Sequence, residues 1–442
     1  MGHHKLYPAY KDSGVEWIGQ VPEHWEVKPI CRVASCNDDS LPENVNPDQV
    51  LRYVDISSVN HTDGITDVAE LRFADAPSRA RRQAKAGDVV ISTVRTYLKA
   101  VAAVTDAHAG CTYSTGFAVL RPRPSEVESA FLKWLTLNDL VIQAIEAHSE
   151  GLSYPAINAT ELVKIKAVVP PRIEQTAIAA ALNRETARID ALIAKKTRFI
   201  ELLKEKRQAL ITHAVTKGLH PNVKMKDSGV EWIGEIPEHW ALSRLGHFAR
   251  VENGTTPSRA NEAYWVGGDI AWLGSGEVNQ VTVTEATEYI TGLALRECSL
   301  RLLPKGTVVI GMVGQGKTRG LAAILDIEAT INQNMAAVRI GPRLNGMFLL
   351  HVFTASYEWL REGGRGSNQA ALNCELLGEF RLAVPPEGEQ QQIVAHIAEM
   401  AKRLDSIASK TERSMGLLKE RRSALITAAV TGQIDLREEP WT

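Results

Sequence analysis

One segment of this chain occurs twice. KDSGVEWIGQVPEHW at 11–25 returns as KDSGVEWIGEIPEHW at 226–240, identical at 13 of 15 positions and displaced in numbering by an offset of 215. The same offset links VPPRIEQ at 169–175 to VPPEGEQ at 384–390, and LLKEKRQALITHAVT at 202–216 to LLKERRSALITAAVT at 417–431. A long-period duplication fixes domain count and symmetry before any local prediction. The 442 residues therefore read as two half-proteins built in one order: a short aromatic box, a middle of about 130 residues, a Val-Pro-Pro strand end and a long helix. The middles, roughly 26–168 and 241–383, keep only echoes of each other, such as GDVVIS at 87–92 beside GTVVIG at 306–311. Ends that grip two copies of one partner must stay alike, whereas middles that touch different targets are free to differ.

The stretch 174–215 lacks Gly and Pro and places Leu182, Ile189, Leu203 and Leu210 at heptad spacing, with Ile178, Leu192 and Phe199 on a companion register. Its twin carries Ile397, Leu404, Leu418 and Leu425, with Ile393, Met400 and Ile407. Lys196 and Thr411 interrupt both stripes at one seam position. Two long helices follow, and packing stripe against stripe in a duplicated chain gives an antiparallel, pseudo-two-fold pair; two separate core helices are the competing reading. In the middles, apolar runs bounded by Gly, Pro or Asp predict strands at 50–56, 88–94, 100–104, 116–121, 270–273, 307–313, 321–325 and 335–340. Helices fit 129–149 and 346–362. Without regular strand-helix alternation, the fold class is α+β.

Composition restricts function. With 44% hydrophobic and 23% charged residues the chain is globular, and no stretch approaches the roughly eighteen uncharged apolar residues of a membrane helix. The start, MGHHKLYPAYKD, lacks the apolar run of a secretory signal, so a soluble cytoplasmic protein, without a membrane partner, is expected. Five scattered cysteines with no C-x-x-C pair predict reduced, mostly buried thiols. A net charge of -2 neither requires nor forbids a polyanionic partner.

GMVGQGKT at 311–318 matches the phosphate-loop pattern after a hydrophobic strand. A phosphate loop opens a helix, yet here Arg319-Gly320 and an apolar run follow, which predicts strand, turn, strand. A nucleotide-dependent enzyme using 311–318 stays as an alternative, as does a coiled-coil adaptor without DNA contact. Val169-Pro170-Pro171-Arg172 and Val384-Pro385-Pro386-Glu387 lack the amide or carboxylate of a base-methylation loop. No metal-ligand or nucleophile motif is evident, so no active site, catalytic residue, metal or cofactor is expected in this chain.

These doubled motifs resemble the specificity subunit of type I DNA restriction-modification systems across essentially the whole chain. The resemblance rests on the W-I-G-x-[VI]-P-x-H-W box, the Pro-Pro-x-x-E-Q helix entry and the L-L-K-E-[KR]-R-x-A-L-I-T-x-A-V-T helix end, each present twice. Tyr264-Trp265-x-Gly267-Gly268-Asp269-Ile270-x-Trp272-Leu273 resembles the start of many such recognition domains and has no counterpart in the first half. The resemblance implies a box at 1–25, a target-recognition domain at 26–172, a spacer helix at 173–217, a linker and second box at 218–240, a second recognition domain at 241–387, a second spacer helix at 388–432 and a tail at 433–442. Each recognition domain would read one half of a bipartite, asymmetric site on double-stranded DNA, with the helices as a ruler. Two copies of an adenine-methylating modification subunit would dock on the repeated parts, and nuclease-translocase restriction subunits would join. S-adenosylmethionine, ATP and Mg would belong to those partners, and the assembly would associate with the nucleoid.

Candidate DNA contacts follow from residue type. Arg79, Arg81, Arg82 and Lys85 form an acid-free basic run suited to phosphates, although a solvated face explains it too. Arg95, Tyr97 and Lys99 occupy a turn after a strand, twinned with Gln315, Lys317 and Arg319. Arg365, Ser367, Asn368 and Gln369 form the leading base-reading cluster, because amides read adenine bidentately; their counterpart at the repeat offset includes Ser153 and Tyr154. Asn332, Gln333 and Asn334 are a third candidate beside a plain Asn-rich turn. Trp17, Trp25, Trp232 and Trp240 in the boxes, with Lys204, Arg207, Lys419 and Arg422 near the helix ends, are the candidate partner contacts.

Overall fold

A computed structural model describes residues 5–151, 153–313, 318–362 and 372–437. The chain forms two compact units, one of residues 1–196 and 412–442, the other of residues 197–411. The second unit is one unbroken stretch, as long as the repeat offset. The boundaries between the units therefore fall inside the long helices and not at the joins of the sequence repeat. The cuts fall after Lys196 and Thr411, the two residues that interrupt the apolar stripes.

The long helices are continuous, Arg172–Lys217 and Glu387–Val430, with 46 and 44 residues. At 1.5 Å per residue the first is about 69 Å long. Both begin behind a Pro-Pro pair and end on a left-handed glycine, Gly218 at φ 75° and Gly432 at φ 74°, the backbone conformation that closes helices and that side chains with a Cβ resist. Within the first unit Asp190 meets Arg422 at 2.9 Å and Glu174 meets Arg437 at 3.3 Å, so the two strands of helix run antiparallel. Within the second, Arg207 meets Asp405 at 2.9 Å. Leu182, Ile189, Leu203, Ile397 and Leu404 are buried, whereas Leu192, Phe199 and Ile407 of the companion register stay exposed. Ile178 and Ile393 of the same register are fully buried, so the companion stripe leaves the core only towards the middle of each helix.

The two middles share one strand order despite their divergent sequences. In the first unit a four-stranded sheet runs Val101–Ala103, Val89–Ser92, Phe117–Pro122, Ala34–Cys36. In the second the corresponding order is Ala322–Leu325, Val308–Gly311, Met335–Ile340, Ala249–Asn253, extended at one edge by Thr282–Val283. All neighbours in the shared four are antiparallel. A further sheet repeats as well. Val50–Val54 pairs antiparallel with Ala69–Arg72 and parallel with Thr112–Ser114, as Ile270–Leu273 pairs with Glu288–Ile290 and Ala329–Ile331. The Trp272 strand therefore has a counterpart in Val50–Val54, which its sequence conceals. Hydrophobic residues facing inward are enough to keep a strand in place, so topology outlasts identity.

Each middle closes on its long helix through a two-stranded sheet, Glu26–Pro29 with Lys166–Val169 and Ala241–Arg244 with Arg381–Val384. The helix expected at 129–149 is broken into Ser129–Thr136 and Asp139–Ala147, where the Asn138 side chain accepts from the Leu140 amide and restarts the helix. The one expected at 346–362 divides at Ser356 into Gly346–Ala355 and Tyr357–Arg361. Of the cysteines only Cys111 is buried; Cys31 is exposed and Cys36, Cys298 and Cys374 are half-buried, which corrects the expectation of mostly buried thiols. Among the described residues, no helix is long and apolar enough to cross a membrane.

His351, on Gly346–Ala355, has its pKa pushed down to about 4 by burial, with Arg207 adding repulsion. The unfolded chain takes up this proton first, near pH 6.5, so folding stability is lost as pH falls from 6.5 towards 4. We expect the second unit to lose about 2–3 kcal/mol over that window, and His351→Gln to flatten the loss. Urea titrations at pH 7.5 and 5 check this; an unchanged pH dependence in the variant contradicts it.

Candidate nucleic-acid interface

The repeated motifs meet one another at the base of each unit. In the first, the Glu174 carboxylate accepts from Trp25 Nε1 at 2.9 Å and from the Tyr7 hydroxyl at 3.3 Å, and pairs with His24 at 2.7 Å. In the second, Glu389 pairs with His239 at 2.9 Å, while Trp240 Nε1 has no hydrogen-bond partner among the described residues. The glutamines beside these acids are duplicated down to their bonds. Gln175 is fully buried, accepts from the Glu128 amide and donates to the carbonyls of Glu126 and Pro170. Gln390 likewise accepts from the Asn345 amide and donates to the carbonyls of Arg343 and Pro385. The E-Q dipeptide thus ties the aromatic box and the start of Ser129–Thr136 or of Gly346–Ala355 to the long helix.

This arrangement corrects several partner candidates. Trp25 and Trp240 are 0% and 1% exposed, and they offer no face to another chain. Trp17 is half-buried against the core of the first unit, and Trp232 is half-buried and stacks on Phe380 at 5.6 Å. Arg207 and Arg422, equivalent positions of the repeat, are engaged by Asp405 and Asp190, which are equivalent to each other in turn. They hold the helix pair together in each unit. Lys204 and Lys419 are exposed.

In the first unit two candidate segments come together. The turn after Val89–Ser92 carries Arg95 and Lys99, both left-handed at φ 51° and 50°. Non-glycine residues in this region cost energy and cluster at functional sites. Thr96, buried between them, donates its hydroxyl to Ser149 at 2.9 Å. The Ile157 amide donates to the Thr93 carbonyl at 2.8 Å, and Val94 bridges to Ala156. The result presents Arg95 over the ring of Tyr154, 5.3 Å from its centroid, with Tyr97, Ser153 and Tyr154 exposed and Lys99 half-buried beside them. An open groove of about 540 Å³ runs alongside, and Asn37 and Arg82 line it. Asn37, left-handed at φ 61°, carries no motif that would reveal it from sequence.

The second unit repeats the joint. The Leu372 amide donates to the Met312 carbonyl at 3.1 Å, and Leu372 is the repeat equivalent of Ile157. Gly320, at φ 83°, packs against Leu360 and Arg361. Gln315, Lys317, Arg365, Ser367, Asn368 and Gln369 lie outside the described residues; their described flanks meet at this joint. After Thr318 the chain returns as a strand antiparallel to Val308–Gly311, so the segment at 311–318 opens no helix. Arg319 is half-buried in that return.

The remaining candidates fare unevenly. Arg79 pairs with Asp55 at 2.8 Å and Lys85 with Asp39 at 3.1 Å, so the run is acid-free only in sequence. Arg81 lies over Phe73, 4.9 Å from the ring centroid. Asn332 is buried and accepts from the Asn334 amide at 3.0 Å, making it a turn-forming residue and not a base reader. Asn334 is half-buried and its carbonyl accepts from Met312. Gln333 alone of the three is exposed, and its amide oxygen accepts from the Thr256 hydroxyl. Thr256, unremarked in the sequence, therefore joins this edge. Among the described residues, no group of three or more His, Cys, Asp or Glu is arranged to hold a metal ion.

Two units of one topology are built on a duplicated base, and their equivalent joints, Thr93 with Ile157 and Met312 with Leu372, tie together stretches of unlike sequence. Residues 237–413, most of the second unit, match the family model described as type I restriction modification DNA specificity domain. A Methanocaldococcus jannaschii protein proposed as the MjaX type I restriction enzyme specificity subunit is 20% identical over 98% of this chain and 99% of its own length. The MjaIX specificity subunit of the same organism is 30% identical over 166 residues, and that match spans only 36% of this chain and 38% of the relative. A chain solved in a study of complex assembly and conformational transition of the type I R-M system shares the fold, with a TM-score of 0.72 at 22% identity, covering 93% of this chain and 98% of that one. Over nearly its whole length the chain is thus similar to type I restriction-modification specificity subunits, and part of its second unit matches their DNA specificity domain.

Proposed function

We propose that this chain reads a bipartite, asymmetric site on double-stranded DNA, one half-site per unit, and scaffolds two modification subunits together with restriction subunits. The observation that carries this reading is the repeated joint, Thr93 with Ile157 and Met312 with Leu372, which ties together stretches of different sequence at equivalent places. Readers of one fold with unlike tips suit unlike half-sites. The first half-site would be read by Arg95, Tyr97, Lys99, Ser153 and Tyr154. The second would be read by Gln333 with the candidates at 315–319 and 365–369. Arg and amide side chains are the usual readers of guanine and adenine edges. The basic residues Arg79, Arg81, Arg82 and Lys85 would hold phosphates, Arg79 and Lys85 on release from Asp55 and Asp39. The near-identical bases would receive identical modification subunits, with Lys204 and Lys419 at equivalent places on each helix. Methyl transfer and nucleotide hydrolysis, with their S-adenosylmethionine, ATP and Mg, would reside in the partners, in a cytoplasmic assembly on the nucleoid.

The test is a pair of variants in the complete complex. Tyr154→Ala and Arg95→Ala are expected to weaken or broaden one half-site by about 1–3 kcal/mol, with the other unchanged, as methylated-adenine mapping would read out. A change in both half-sites, or in neither, contradicts the assignment.

A further inference from the structure

In the second unit, Arg250 of the edge strand Ala249–Asn253 lies directly across from Arg339 of Met335–Ile340. Directly opposed residues of an antiparallel pair project from one face, where like charges repel. Glu252, two residues along, projects from that same face. Its carboxylate lies 3.1 Å from Arg339, 3.4 Å from Arg301 and 3.6 Å from Arg250. One acid thus faces three guanidiniums, a local excess of two positive charges. The acid sits beneath, its side chain 15% exposed, while those of Arg250 and Arg301 are 65% and 57% exposed. Glu252 Oε1 and Arg339 Nε each lack a hydrogen-bond partner among the described residues.

Beside them runs a groove of about 230 Å³ lined by Arg250, Glu252, Asn253, Gly254, Ser299 and Arg301. Ser299 is held left-handed at φ 53°. Ile331 also lines the groove, and Gly254 approaches its carbonyl so closely that any Cβ would overlap it. The next residues along both segments are Thr255-Thr256 and Asn332-Gln333, so the groove opens next to the edge where Thr256 braces Gln333. Paired guanidiniums over a groove suit a phosphodiester, which they can grip with several donors at once.

We infer that this groove seats a backbone phosphate of the duplex bound by the second unit, with Arg250 and Arg301 as its outer ligands and Glu252 as the positioning residue beneath. The inference rests on the DNA-reading function proposed above. It is tested by anisotropy of labelled cognate and scrambled duplexes with the full chain in complex with its modification subunits, across 50–300 mM KCl. Arg301→Ala should weaken both duplexes by roughly five- to tenfold and reduce the salt slope by about 1. Arg301→Glu should lose more, and Arg301→Lys should retain most of the affinity. Unchanged affinity and slope in Arg301→Ala and Arg301→Glu, with the parent complex still discriminating cognate from scrambled duplex, overturns the groove and leaves the reading function standing. Loss confined to discrimination at one base pair also overturns it, since Arg301 would then read a base. If phosphorus NMR shows inorganic phosphate binding that Arg301→Ala abolishes while duplex affinity is untouched, the groove serves a free anion and the assignment fails. A parent complex that binds no duplex sinks both readings together.

Discussion

Glu174→Ala is expected to destabilise the unit of residues 1–196 and 412–442 by about 3 kcal/mol or more, while the equivalent Glu389→Ala costs the other unit about 1 kcal/mol. The two acids stand at the same place in the repeat but bear different loads. Glu174 is 7% exposed and serves Trp25, His24, Tyr7 and Arg437 together. Its removal strands the Trp25 N–H and the Tyr7 hydroxyl, both in buried residues, and leaves Arg437 to its pair with Asp435. Orphaned donors of this kind carry the full desolvation penalty. Glu389 pairs with His239, whose side chain is 47% exposed and returns to water at little cost. Hydrogen exchange resolved along the chain separates the units: protection should fall roughly a hundredfold or more in the first variant's own unit and less than tenfold in the second's. Equal losses would show that the duplicated base is energetically symmetric, contrary to the geometry.

The second large effect concerns length. Four residues inserted after Lys196, about one turn or 6 Å of helix, are expected to lengthen the tolerated gap between half-sites by one or two base pairs and to leave both half-sites unchanged. Lys196 suits the insertion because the compact units divide there; Gln175 and the Asp190–Arg422 pair lie before it, and the exposed Arg207–Asp405 pair is the contact whose register shifts. Methylation mapped on plasmids with graded gaps reads the outcome. An altered half-site would move the reading function onto the helices.

What sequence reveals here depends on how the constraint is written. The long helices and the strands of the middles are legible because burial imposes periodicity, and a stripe such as Leu182, Ile189 and Leu203 repeats at an interval a reader can count. The function of Gln175 and Gln390 is not legible. A buried amide satisfied by three backbone groups leaves no pattern around it, only its own recurrence in the second copy of the repeat. Trp25 and Trp240 misled for a related reason: an aromatic kept in both copies suggests an external grip, when it fills the same internal space twice. Arg207 and Arg422 misled because their acids, Asp405 and Asp190, lie far away in sequence. The turn and loop that carry Arg95 and Tyr154 were each noticeable as strand and helix punctuation, but their meeting depends on the Thr93–Ile157 bond, which no local pattern encodes. Thr256 and Asn37 gave no signal, since a lone polar residue in a loop is commonplace.

Whether one chain holds two unlike readers on a shared, duplicated base is measured directly by mapping methylated adenines in cells that carry this gene with its modification partner. A two-part motif with a fixed unread gap and different halves is the expected result. A contiguous palindrome, or an absence of methylation from a complex that assembles and folds, would contradict it.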